Sequence, residues 1–209
     1  MPNLFSALNA DMAGHVSAVQ QSVLEIRDDH RQSIGAGTIW HEAGLIVTNA
    51  HVARHGAANI TLGDGRTLRA QVIARDDERD LAALAVEPEQ SSPLPTIQVA
   101  RGGMPQPGQW VFAVGHPWGV HNAATGGVII GRSPALPDMP RIRNDWIVAD
   151  LHLRPGNSGG PMVNTRGQLV GVNTMITGPS VGIAVSVEAV KDFLQQTIGR
   201  AATPSAVTV

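Results

Sequence analysis

The sequence predicts an all-β protein closed at each end by a helix, and three observations carry that reading. Short apolar runs recur along the chain with turn-forming residues between them, the pattern of a barrel or sandwich. They fall into two sets of six, separated by a stretch rich in proline, serine, glycine and glutamine at residues 87–108. Helical spacing of three and four is confined to residues 3–20 and 187–198.

In chain order, Phe5, Leu8, Met12, Val16 and Val19 define one face of an amphipathic helix with Asn3 as its cap. That face is expected to pack on the adjoining sheet. The first six strands are read at residues 23–27, 37–40, 45–48, 60–62, 68–73 and 81–86, with Asp64-Gly65 as a hairpin signal. Within the connection, residues 97–100 are apolar enough to pair with a sheet edge. The second six are read at residues 110–114, 126–131, 146–149, 161–164, 168–173 and 182–186. The closing helix has Val187, Val190, Phe193, Leu194 and Ile198 on its apolar face, Ser186 as cap and Gly199 as terminator. The expected divisions are a helix at 1–21, a β-domain at 22–100, a second with its helix at 101–199, and a tail at 200–209.

A chain of 209 residues has ample length for a core. A net charge of −2 gives no electrostatic case for nucleic acid or an anionic membrane as partner. The absence of cysteine excludes disulfides, thiolate metal sites and cysteine nucleophiles. Residues 1–26 lack the basic start and continuous apolar core of a signal peptide, and no apolar run approaches the ~20 residues needed to span a bilayer. The chain is therefore read as not exported by its own signal, or as a mature or trimmed form; the compartment stays open.

Function is concentrated in Arg154-Pro155-Gly156-Asn157-Ser158-Gly159-Gly160-Pro161. Glycines on both sides allow a bend that exposes the Ser158 hydroxyl and aims backbone N–H groups beside it. A serine needs a base to take its proton. The G-x-S-x-G elbow of α/β-hydrolases places its histidine after the serine, but the last histidine here is His152. The base must precede Ser158, and His51 follows an apolar run at a predicted strand end. Asp80 stands immediately before the run Leu81–Val86, where a carboxylate can fix one tautomer of an imidazole and stabilise its cation. Asp76 and Asp77 are read as solvated loop charges.

Thr48-Asn49-Ala50-His51-Val52, Asp80-Leu81-Ala82 and Gly156-Asn157-Ser158-Gly159-Gly160-Pro161 resemble the catalytic blocks of trypsin-like serine proteases, most closely the HtrA/Deg branch. Order and separations, 29 and 78 positions, also resemble that branch. The resemblance covers roughly residues 10–198. It implies two six-stranded antiparallel β-barrels and an endopeptidase that cleaves unfolded or extended polypeptide through His51, Asp80 and Ser158, with no cofactor. It also suggests a homotrimer formed through the N-terminal segment, where Phe5 is the matching aromatic. The PDZ domain that many relatives carry is not found in the 209 residues.

The oxyanion hole is assigned to the N–H groups of Gly156 and Ser158, with Asn157 shaping the loop. Digestive proteases have aspartate in place of Asn157, paired with a newly cut N-terminus; asparagine cannot form that pair. Activation by N-terminal cleavage is therefore not expected, and control falls to loops at 115–125, 132–145 and 175–181. The specificity pocket is assigned to Leu151, His152, Leu153, Thr174, Met175, Ile176 and Gly182. With no acid among them, and Ile176 where an open pocket needs glycine, the expected preference is valine, alanine, leucine, isoleucine or methionine before the cut bond. His51 and His55 have helical i, i+4 spacing, but the glutamate of H-E-x-x-H is missing, so no metal is assigned. Trp118 is read as a loop anchor. The rival reading is a catalytically silent double barrel used for binding or as a scaffold; between the two lies an enzyme whose oxyanion loop is collapsed until a peptide activates it.

Overall fold

The structure, a computed structural model, describes residues 3–27, 35–86, 93–101, 103, 105–134, 145–176 and 180–199. The first apolar runs become β1 (Val23–Arg27), β2 (Gly35–His41), β3 (Leu45–Thr48), β4 (Ala57–Thr61), β5 (Thr67–Asp76) and β6 (Leu81–Val86). They close into an antiparallel barrel in the order β1-β2-β3-β6-β5-β4, with Ile26 opposite Ile60 at the seam. The topology repeats in β7 (Trp110–Gly115), β8 (Ala123–Ser133), β9 (Trp146–Asp150), β10 (Pro161–Asn164), β11 (Leu169–Ile176) and β12 (Val181–Ser186). This second barrel closes between β7 and β10, where Met162 faces Ala113. Closure pairs both edges of each sheet.

Several strands run beyond their predicted ends. β5 continues to Asp76 and β8 starts at Ala123, because these stretches alternate between exposed and covered side chains. Their polar members mask the strand signal, and it is ladder pairing that sets their length.

Leu24, Ile39, Ile46, Ile60 and Leu84 fill the first barrel. Val111, Ile129, Ile147 and Met162 fill the second. A third cluster joins them: Trp40, Val47 and Leu81 of the first barrel pack with Val114, Trp146, Val163 and Val185 of the second. The connection is stitched to both sides. Ile97 N–H donates to Ile39 O at 2.9 Å, and Leu169 N–H donates to Gln98 O at 2.7 Å.

The closing helix α2 (Val187–Thr197) starts where Ser186 Oγ accepts from Ala189 N–H, and it buries Val187, Val190, Phe193 and Leu194. Residues 200–209 lie outside the described residues. The first helix, α1 (Leu4–Gln20), is capped by Asn3, whose Oδ1 accepts from Ser6 N–H at 2.8 Å. Its packing corrects the expectation from the sequence. Val19 alone is buried, and Phe5 is 80% exposed. The apolar periodicity is present, but Met12 and Val16 are only half-buried and the N-terminal half of the face, with Phe5 and Leu8, is left to solvent. Among the described residues no helix is long and apolar enough to cross a membrane.

Candidate active site

Each barrel delivers part of the site to their junction. His51 follows β3, and Asp80 sits on the turn entering β6. Asp80 Oδ2 lies 2.8 Å from His51 Nδ1, and Oδ1 accepts the His51 backbone N–H at 3.0 Å. An ionised carboxylate only accepts, so this contact puts the imidazole proton on Nδ1 and leaves Nε2 as the free acceptor. Asp80 has φ +54°, a left-handed conformation in which Asn49 Nδ2 holds its carbonyl at 2.9 Å. Burial raises the Asp80 pKa, but the bond to His51, its charge and the Thr174 hydroxyl outweigh burial and hold the carboxyl below its ordinary value.

Ser158 comes from the second barrel. Its loop passes so close to neighbouring backbone that side chains are excluded. Gly156 has φ +104°, and a Cβ there would lie 2.3 Å from His116 O; at Gly159, φ +84°, a Cβ would meet Ala36 O at 2.1 Å. Ala36 N–H donates to Ser158 O at 2.8 Å and Gly159 N–H to Asn173 O at 2.8 Å, which tie the loop to both barrels. Asn157 is buried, with its N–H on Arg154 O and its carbonyl on Gly160 N–H. Among the described residues, the N–H groups of Gly156 and Ser158 donate to no acceptor.

The Ser158 hydroxyl donates to Thr174 O at 2.8 Å. Among the described residues no hydrogen bond joins it to His51. Thr174 is the connecting residue, since its own hydroxyl donates to Asp80 Oδ2. A register shift between Asn173 and Met175 places it there by freeing its carbonyl from the ladder. Sequence reasoning assigned Thr174 to the pocket wall. Its contact with Asp80 was not foreseen, because a bulge in β11 has no signature in the sequence.

The other predicted site residues divide between the core and the surface. Leu151 and Leu153 are 1% and 3% exposed, inside the second barrel's core. Gly182 packs on them, with the position of a Cβ 3.1 Å from Leu153 Cγ. His152 is exposed, and its Nε2 meets Ser180 Oγ at 3.1 Å. Met175 and Ile176 pair with Ile183 and Gly182, while their side chains lie outside the described set. Residues 51–56 are not helical, so the spacing of His51 and His55 does not put them on one helix face. Trp118 is no anchor. It is 74% exposed under the Arg154 guanidinium, whereas His116 beside it is buried. An open pocket of ≈340 Å³ lies between Trp118, Val120, His152 and Arg154.

The profile of the trypsin-like peptidase domain matches residues 35–172, two thirds of the chain. The chain belongs to this family. Within the family its relatives are HtrA/Deg proteins. It is 42% identical over 157 residues to the putative serine protease HhoA of Synechocystis, covering 73% of this chain and 39% of that protein. It is 35% identical over 175 residues to a probable periplasmic serine endoprotease, DegP-like, of Halomonas elongata, covering 80% and 36%. The solved HtrA-type protease AlgW with decapeptide superposes with a TM-score of 0.80 at 26% identity, covering 90% of this chain and 68% of that one. The serine endoprotease of Yersinia pestis gives 0.79 at 26%, covering 91% and 67%. The chain spans less than half the length of the curated relatives it matches.

Proposed function

We propose that the protein is an HtrA/Deg-type serine endopeptidase that cuts unfolded or extended polypeptide after small or medium aliphatic residues. The observation that carries this is the His51–Asp80 pair, 2.8 Å apart, set across the barrel junction from a serine whose loop leaves two N–H groups without an acceptor among the described residues. In the reaction the Ser158 hydroxyl turns from Thr174 O toward His51 Nε2. His51 takes its proton as Oγ bonds to the scissile carbonyl carbon, and the resulting oxyanion is held by Gly156 and Ser158 N–H. The tetrahedral intermediate collapses, the C–N bond breaks, and His51 returns the proton to the leaving amine. Water then hydrolyses the acyl-enzyme with His51 again as base.

The aliphatic preference rests on Leu153 filling the space beside Gly182 and on the absence of an acid among the assigned pocket residues. With Asn157 in place of an acid, activation needs no new N-terminus. Exposed Leu4, Phe5 and Leu8 support assembly into a homotrimer through α1. An extracytoplasmic site of action fits the relative named as periplasmic.

Two experiments test the reading. A peptidyl phosphonate with valine next to the warhead labels Ser158, and His51→Ala abolishes the label. Absence of labelling with and without added peptide favours the silent scaffold, and labelling only with peptide favours a gated enzyme. Mass-spectrometric mapping of cuts in casein finds valine, alanine, leucine, isoleucine or methionine before the bond; dominant cleavage after lysine or arginine overturns the pocket assignment.

A further inference from the structure

The loop 116–122 between β7 and β8 is closed by a buried histidine. His116 is 4% exposed, and its Nδ1 accepts the Asn122 N–H at 3.2 Å. Inside the loop Trp118, Gly119 and Asn122 have φ of +54°, +77° and +54°. Non-glycine residues persist in such conformations only where their surroundings hold them. Asn122 is held from a second side, its carbonyl accepting the Gln20 amide of α1 at 2.6 Å.

The backbone of the same histidine bears on the proposed oxyanion site. His116 N–H donates to Gly156 O at 2.9 Å, and its carbonyl leaves no room for a Cβ on Gly156. The ring closes the loop, while the main chain holds the carbonyl side of Gly156, the residue whose N–H is assigned to the oxyanion.

We propose that His116 is a positioning residue for Gly156, the residue that presents one of the two oxyanion N–H groups: its neutral imidazole, with the proton on Nε2, holds residues 116–122 against Gly156, and a second proton releases them. This rests on the assignment of Gly156 and Ser158 N–H as oxyanion donors. A proton on Nδ1 would point at the Asn122 N–H, and two donors cannot bond. The groups around the ring divide. Glu25 and the Leu24 carbonyl of β1 favour the cation, whereas His121 of the same loop and Arg27 of β1 oppose it. His121 lies edge-on at 5.7 Å, and Arg154 lies over Trp118 of the loop. Burial weighs most and keeps His116 below the ordinary histidine value, so the switch belongs to the acid side of the profile.

The kinetic test follows kcat and KM against pH on a valine-containing peptide. His116→Ala lowers kcat by ~10², the scale of losing one oxyanion donor, with KM little changed. His116→Asn, whose carboxamide oxygen can accept from Asn122 and does not titrate, restores most of that loss. On the acid limb, log kcat falls with a limiting slope of two in the wild type and one in His116→Asn. An independent readout needs no catalysis. In 15N-labelled His51→Ala protein the Gly156 and Asn122 amide shifts follow one ionisation, and adding His116→Asn flattens both. A Gly156 amide that ignores His116, or a slope of two kept by the asparagine variant, overturns the proposal. A Gly156 shift that follows His116 supports the coupling even if Ser158 resists the phosphonate, a result that would reject only the enzymatic reading.

Discussion

Thr174 shows how much one side chain can join. Its hydroxyl faces Asp80 and its carbonyl takes the Ser158 hydroxyl, so a single residue of the second barrel touches both ends of the proposed triad. A hydrogen bond to a charged group contributes about 1.5–3 kcal/mol. Thr174→Val is expected to lower kcat/KM by roughly 10–100-fold with the fold intact, measured by peptide hydrolysis beside circular dichroism. Asp80→Asn replaces an acceptor-only group and frees the wrong tautomer; the expected loss in kcat is ~10⁴-fold. Asp80 also links stability to pH. Its folded pKa is below the ordinary 3.8, so its contribution is present above that value and is lost as pH falls below it. Melting temperature between pH 5 and 3 should fall less steeply in Asp80→Asn than in the wild type.

At the scale of elements, the serine loop depends on backbone contact more than on side chains. Gly159→Ala would force a methyl to within 2.1 Å of Ala36 O at a φ that L residues avoid. Destabilisation of more than ~1 kcal/mol is expected from denaturant unfolding, together with loss of phosphonate labelling. The closing helix behaves differently. Phe193 is fully buried, and Phe193→Ala should cost about 3–5 kcal/mol without altering the geometry of Ser158. The two helices look alike in sequence, since each shows apolar spacing after a good cap. α2 buries its face within the chain, whereas α1 leaves its N-terminal half exposed; Phe5→Asp should therefore leave the monomer's melting temperature unchanged while dissociating any trimer, as sedimentation velocity would show.

For the whole molecule, the two barrels share a cluster that includes Trp40 from one and Trp146 from the other, both fully buried. Packing of that extent predicts that they unfold as one unit. Fluorescence of variants keeping only Trp40 or only Trp146 should give superimposable urea transitions; two separated midpoints would show independent barrels. The same junction carries the site, with His51 and Asp80 on one side and Ser158 and Thr174 on the other.

Local chemistry is why the sequence alone could determine so much of this protein. Strand alternation, the capping residues Asn3 and Ser186, and a serine between glycines are properties of neighbours along the chain, and so are a histidine and an aspartate at strand ends. The order of those three residues excluded the α/β-hydrolase arrangement before any coordinates were needed. Closure of each barrel, the bulge that turns Thr174 toward Asp80 and the burial of Leu151 and Leu153 depend on partners distant in the chain. So do the exposure of α1 and the seat of His116 under Gly156. Only the tertiary structure could decide these, because a hydrogen bond or a packed methyl is set by distance in space, and residues far apart in sequence carry no mark of which neighbour they will meet.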